Sequence, residues 1–339
     1  MTVPTNPVSG VRLAALALVL GLLTAAVGLL CSLFGPIPVL ETAGWEFHRN
    51  AIWQDRITRI TAAALAGGGL SLAGLALQAL LRNPLADPYI LGVSSGAGVG
   101  VILGLALAAR TALPEFAATP ALAFAGAITT CFLVYAVAQQ RGRLDPFSLI
   151  LSGVMVNAMN GALILAVYLF IDPHTLTAFV GWAMGQVPDS VAVSLLLVCG
   201  VCIALAGFWA LLRGAAFNAL GLGETVAAST GVAVAALRVE TFVVAGLTTA
   251  CAVALVGPIG FIGLFVPHVC RLLLGPDHRR LAMVCGFAGA IFLVASDTFC
   301  RFLGSAANLG RFPVGIVTAL IGGPFFIWLL RSRYRAGEA

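Results

Sequence analysis

Apolar runs of about twenty residues recur along nearly the whole chain, separated by short polar or Arg-bearing stretches. A helix crossing ~30 Å of hydrocarbon needs about 20 apolar residues. Ten runs qualify: 11–34, 57–81, 90–109, 117–138, 147–170, 191–212, 239–257, 259–274, 281–300 and 312–330. They predict an all-α polytopic membrane protein of about ten transmembrane helices, with residues 1–339 as a single transmembrane domain. The eighth run is the weakest. At ~1.5 Å per residue it barely spans, and Gly257-Pro258 leads straight into it. A re-entrant or broken helix is expected there, a form tolerated only where its backbone is buried in protein or lines water. The first run lacks a small-residue cleavage site followed by a soluble domain, so it reads as a retained span and not a signal peptide.

Two interruptions break this pattern. Gln78–Gly92 carries polar residues, two prolines and two opposite charges where a bare turn would suffice, and it reads as a cytosol-facing stretch. Gly257–His268 breaks the pattern again near the other end. Spans two and seven each follow an Arg-containing start and end in such an interruption, Asn83-Pro84 and Gly257-Pro258, as inverted repeats with broken helices do. The longest connections are 35–56, 172–190 and 213–238. The last is long enough for two short helices at the membrane surface.

Composition narrows the class. The chain is 60% hydrophobic and 9% charged, with mean hydropathy +1.06, against roughly 25% charged residues in soluble domains. A soluble reading is excluded. Every basic residue is Arg; without Lys no GxxxxGK[ST] loop exists, so the chain cannot bind ATP in that way. Assigning both termini to the inside puts twelve arginines on the inner side and six on the outer, and inner loops carry the excess. The arginines are spread over many loops and form no nucleic-acid patch. Among the eight cysteines, Cys199 and Cys202 form a CxxC inside a span, without the further ligands a metal site needs. They read as small apolar filler.

Few polar residues remain to carry chemistry. Arg56, Ile60, Ala63, Gly67, Ser71, Gly74 and Gln78 share one face of span two. The face reads either as tight packing, which small residues allow in lipid, or as the wall of a pathway with Ser71 and Gln78 as its polar points. Asn157 and Asn160, one turn apart in span five, divide between interhelical hydrogen bonds and pathway lining. Arg56 and Arg59 sit at the outer mouth of span two, and Arg301 at the outer end of span nine, four residues after Asp297. They are read as snorkelling or paired cations, or as a ring that docks acidic residues of an external protein. His268, beside Pro267 and without a second His in reach, reads as helix packing. Gly275–Arg280 reads as a polar turn.

These motifs, in this order, resemble the FecCD family, permease subunits of type II ABC importers for iron-siderophores, haem and cobalamin. The resemblance runs from about residue 50 to the C-terminus. It rests on Arg56–Arg59, the glycine stretch Leu70–Gln78, Arg82-Asn83-Pro84-Leu85-Ala86-Asp87-Pro88, Leu91-Gly92, Gly96-Ala97 and Ala219–Glu224. Further on it rests on Gly257-Pro258-Ile259-Gly260 to Gly263, Pro267-His268, Asp277–Arg280, Asp297–Arg301 and Pro313–Phe326. It implies a multi-pass permease in the inner membrane of a bacterium, working as a homodimer or with a close homologue. It implies two cytosolic ABC ATPase subunits that hold the ATP, and a periplasmic or lipid-anchored substrate-binding protein. No cofactor, metal or nucleic acid is expected on this chain. The segment matching Leu220–Val232 would form the ATPase-coupling helices, with Leu220, Gly221, Gly223, Glu224, Ala228 and Gly231 as contacts. Arg56, Arg59 and Arg301 match the family's docking arginines. Two departures stand out: Thr58 where Pro is common, and the basic Arg311-Phe312-Pro313 where an acid is common.

A stand-alone secondary transporter would need charged pairs inside the spans, and the span interiors are nearly free of charge. An enzyme would need a nucleophile, base or metal constellation, and none is visible. The expected substrate is an iron complex, a ferric siderophore or haem, with cobalamin as the alternative.

Overall fold

The computed structural model describes residues 10–33, 51–108, 115–140, 143–307 and 312–337. Arg49, Arg110, Arg141 and Arg311, assigned to loops by sequence, lie outside them. In chain order the helices are α1 (Gly10–Leu33), α2 (Ala51–Leu80), α3 (Val93–Ala108), α4 (Glu115–Ala138), α5 (Pro146–Tyr168), α6 (Pro173–Ala183), α7 (Val193–Gly221), α8 (Glu224–Ser229), α9 (Val234–Val256), α10 (Ile262–Leu274), α11 (His278–Ala306) and α12 (Val314–Gly337). A 3-10 turn covers Pro88–Leu91, and two short strands, β1 (Gln139–Gln140) and β2 (Arg143–Leu144), pair antiparallel.

All ten expected spans are helical, and the chain is an all-α polytopic membrane protein. Among the described residues, seven helices are long and apolar enough to cross a bilayer; α3, α10 and the apolar part of α12 are shorter. The centre is formed by α2 and α9, while α1 lies at the periphery. Lipid offers no hydrophobic drive between helices, so close contact depends on small residues. A Cβ on Gly67 would stand 2.2 Å from the Gly289 carbonyl oxygen of α11, and one on Gly74 would stand 1.8 Å from that of Gly263.

The structure corrects two expectations. The first concerns 213–238, where two surface helices were expected. Instead α7 continues to Gly221, because Phe217 and Leu220 bury against Ala76 and Ala79 of α2 and Leu237 of α9. Only α8 is a separate short helix. Gly223 and Gly231 flank it with φ of 124° and 84°, a backbone that glycine adopts readily.

The second concerns Gln78–Gly92, read from sequence as a cytosol-facing stretch, of which only Arg82 and Asn83 are exposed. α2 ends in a Schellman motif: Asn83 N–H bonds the Gln78 carbonyl at 3.1 Å and Arg82 N–H that of Ala79 at 3.3 Å, with Arg82 left-handed at φ 46°. Arg82 and Asn83 are exposed, but the chain then turns inward and Ala86 and Leu91 are fully buried. A Cβ on Gly263 would lie 2.6 Å from the Pro88 ring and 2.9 Å from the Leu70 carbonyl. Leu70 is ten residues before the end of α2, roughly 15 Å at the helical rise. The bend is re-entrant, and α3 is short because it starts part-way along its neighbours.

The eighth run behaves as the sequence predicts. α9 stops at Val256, Gly257–Phe261 is non-helical, and α10 has 13 residues, about 20 Å long. Gly257 and Phe261 both have positive φ, 69° and 71°. Each of the central helices, α2 and α9, is thus followed by a buried bend and a short helix. They run in opposite directions, since Glu224 joins Arg82 just past the end of α2 to Arg238 in the first turns of α9.

Candidate functional site: two ends and the bends between them

At one end an ion cluster gathers the three arginines singled out by sequence. Arg59 grips Asp297 with two bonds, Nε to Oδ2 at 3.0 Å and Nη2 to Oδ1 at 2.8 Å, and its Nη1 bonds Asp189. Arg301 adds an i,i+4 contact to Asp297 at 3.5 Å. Arg56 Nη1 donates to the Ser32 carbonyl at 2.9 Å and Arg301 Nη2 to that of Cys31 at 3.2 Å. Those carbonyls belong to the last turn of α1, where acceptors lack helical partners and cations are favoured. The arginines are therefore not a bare ring of exposed charge. Arg56 is 7% exposed, and the Arg59 side chain is 12% exposed while its partner Asp189 is half-exposed.

At the other end lies the segment expected from sequence to couple to the ATPase. Leu220 is buried, whereas Gly221, Leu222, Val226, Ala228 and Gly231 form an exposed edge, with Leu222 75% exposed. Glu224 opens α8 and bonds Arg238 Nη2 at 2.5 Å and Arg82 Nη2 at 3.5 Å. Arg238 also donates to the Leu144 carbonyl of β2 at 3.3 Å. Glu224 thus ties α8 to the start of the re-entrant bend and to α9.

Between the ends, the two interruptions meet. The Tyr89 hydroxyl accepts from the Ile259 N–H at 2.8 Å and donates to the Ile259 carbonyl at 3.0 Å. Asp87 caps the 3-10 turn, taking the Tyr89 N–H at 2.8 Å. Burial pushes the Asp87 carboxyl up to about 6, against the lowering effect of that bond. Burial and the Asp87 charge hold the Tyr89 phenol far above its usual range, so its proton stays in place to donate. On the far side of the Gly257–Phe261 bend, Gln186 N–H bonds the Val256 carbonyl at 3.0 Å, and Gly315 N–H bonds that of Gly185 at 3.2 Å. A Cβ on Gly185, itself at φ 71°, would stand 2.3 Å from the Pro258 carbonyl.

The six residues nominated for a pathway sit in helix contacts. Gly67, Ser71 and Gly74 are buried at α11 and α10. The Gln78 amide donates to the carbonyls of Gly263 (3.2 Å) and Leu264 (3.4 Å), and its oxygen accepts from Arg271 at 3.1 Å. Asn160 donates to Ser95 Oγ (3.0 Å) and Thr130 Oγ1 (3.1 Å), while Ser95 Oγ donates to Asn157 at 2.5 Å. This network joins α3, α4 and α5, and Asn157 extends it to the Tyr89 carbonyl at 3.4 Å. An apolar groove of about 940 Å³ opens between α1, α2, α7 and α11, and none of the six lines it.

The remaining motif residues are structural in placement. His268 is buried with its ring edge-to-face with Phe325 at 5.8 Å, and Pro267 lies within α10. Cys199 is buried against α9, its thiol 3.8 Å from the Cys251 carbonyl. Asp277 caps α11 and accepts from Asn218 at 3.0 Å, which makes the Gly275–Arg280 turn a joint to α7. Tyr89, Asp189 and Arg238 were missed by the sequence reading. Only Tyr89, a polar aromatic between the two motif prolines and an apolar span, gave a local signal.

The comparisons agree with this architecture. The model of the FecCD transport family matches residues 13–332. The cobalamin import system permease protein of Halobacterium salinarum is 40% identical over 284 residues, 82% of this chain and 72% of the relative. The hemin transport system permease protein of Yersinia pestis is 34% identical over 323 residues, 94% of each. A solved structure described as an inward-facing conformation of a metal-chelate type ABC transporter matches with a TM-score of 0.76 at 29% identity, over 94% of this chain and 99% of that one. The chain belongs to the FecCD transport family and is a membrane-embedded permease of a type II ABC importer, a transport component whose ATPase is a separate subunit.

Proposed function

We propose that this permease imports a large metal chelate, with cobalamin as the first reading. The observation that carries it is the 40% identity to a cobalamin permease over 82% of the chain. Haem is the second reading, favoured by the similarity to a hemin permease along 94% of both chains. Haem is the iron complex that a named relative supports; a ferric siderophore, the other iron complex expected from sequence, is tested beside it. Size supports the class: such ligands would be selected mainly by the binding protein, and the polar residues of the spans here serve helix contacts.

In this reading both termini lie in the cytosol. The Glu224 end faces two ATPase subunits, which hold the ATP; the exposed edge of Leu222, Val226, Ala228 and Gly231 supplies the contact. The Arg59 end receives the substrate-binding protein. An acid docking on Arg59 would displace Asp189, a half-exposed intramolecular stand-in for it. The permease pairs with a second copy or a close homologue, and the ligand passes between the two. Alternating access needs partners that bind two states differently, and the ATPase and binding protein fill that role.

The test is uptake of labelled cobalamin, haem and ferric siderophore by cells lacking the gene, with and without the intact gene. Restored cobalamin uptake supports the first reading, and restored haem uptake the second. Rescue of neither overturns both.

A further inference from the structure

We propose that Tyr89 is a positioning residue that carries the coupling signal between the ATPase end and the binding-protein end. The inference rests on the importer reading, with the ATPase at the Glu224 end.

The contacts form a continuous run. Glu224, the first residue of α8, contacts Arg82 at 3.5 Å. Arg82 begins the re-entrant bend, and seven residues later Tyr89 exchanges two hydrogen bonds with Ile259. Among the described residues, these are the hydrogen bonds that join the two bends. Next to Ile259, the Pro258 carbonyl abuts Gly185, and Gly185 accepts from Gly315 at the start of α12. Four residues beyond Gly185, Asp189 reaches Arg59.

Packing makes this run suited to moving as a unit. The approaches at Gly185, Gly263 and Gly315 leave no room for even a Cβ. Close-packed interiors transmit displacement because they cannot absorb it. A shift of α8 would be passed along the bend, and Tyr89 is where the bend grips the second one. The two positive-φ positions Gly257 and Phe261 bracket Ile259, so the gripped segment is set off from α9 and α10 by a backbone turn on each side.

The experiment uses the permease with its ATPase and binding protein, reconstituted together in lipid vesicles. The readout is the factor by which binding protein stimulates ATP hydrolysis, for the native chain and for Tyr89→Phe. That factor is a ratio, so a variant that merely assembles poorly lowers both rates and leaves it unchanged. Coupling between sites is typically worth about fivefold or more, and Tyr89→Phe is expected to lower the factor by at least about that amount. Should Tyr89→Phe not assemble, Arg82→Gln cuts the run at a half-exposed side chain and is expected to lower it likewise. An unchanged factor in the variant that assembles overturns the proposal. A native complex whose hydrolysis ignores the binding protein overturns it as well, because no signal then crosses the permease. The readout does not depend on which chelate is carried, so it can fail separately from the substrate reading.

Discussion

Arg59 and Asp297 meet fork to fork in a largely buried pair, their side chains 12% and 4% exposed. Asp297 is also the carboxylate nearest Arg301. Removing it takes the carboxylate from Arg301 and leaves Arg59 only the half-exposed Asp189, and breaking a buried pair costs about 3–5 kcal/mol. Asp297→Ala is expected to lower the thermal midpoint of the purified permease strongly, and Asp297→Asn less so. Asp189→Asn removes the other, half-exposed partner and is expected to cost under ~1 kcal/mol. Equal melting of Asp297→Ala and the native chain would deny the cluster its structural role.

Close helix approach makes a second prediction. Gly74→Ala drives a methyl into the Gly263 carbonyl, an atom of backbone that cannot rotate away. Overpacking costs about 1–3 kcal/mol, so the variant is expected to melt earlier and to give less folded permease in membranes. Gly161→Ala is the control. It lies inside α5 with no atom within 4 Å of the new methyl, and is expected to be neutral or slightly stabilising. If both variants behave alike, the α2–α10 contact is looser than described.

Arg82 carries a third. It holds φ 46° at a Schellman position where glycine is usual, and left-handed backbone costs a side-chain-bearing residue roughly 1 kcal/mol. Arg82→Ala keeps that cost and loses the contact to Glu224; Arg82→Gly loses the contact and the cost together. Arg82→Gly is therefore expected to be the more stable of the two by about 1 kcal/mol, read by chemical denaturation. The reverse order would mean that the position is not left-handed.

Much of the architecture could be read directly, because bilayer thickness imposes a length on each apolar run and ten such runs became helices. What escaped was depth. Pro88 and Tyr89 sit next to charged and polar residues, so local pattern assigned them to the surface. Their burial depends on Gly263 and Ile259, some 170 positions away, and no local pattern encodes a long-range contact. The small-residue face of α2 was ambiguous for a related reason. Gly67, Ser71, Gly74 and Gln78 mark a place of close approach, but spacing alone cannot say whether a helix or a ligand approaches. The i,i+4 pair of Asp297 and Arg301 was legible because it is local; its third member, Arg59, lies 238 positions away. Glu224 was picked out only by resemblance, and its intramolecular partners Arg82 and Arg238 had to be seen.

The Asp87 carboxyl makes its own contribution to the pH dependence of stability, one that an Asp87 variant isolates. Its ordinary value of 3.8 rises to about 6 in the fold because burial disfavours the charge. The folded state then binds this proton more tightly than the unfolded chain, and the Asp87 contribution to stability falls as pH rises from about 4 through about 6. Below that window Asp87 is protonated in both states and its full contribution is present; above it that contribution is gone. The gap between 3.8 and about 6 corresponds to at most about 3 kcal/mol. Asparagine is neutral at every pH and caps the same N–H, so Asp87→Asn is expected to match the native chain near pH 4 and exceed its stability at pH 7.5. The check is a set of denaturation midpoints for both proteins from pH 4 to 8. A native curve parallel to that of the variant across this range would mean that the carboxyl is not held neutral by its burial, and that the bend it caps is open to water.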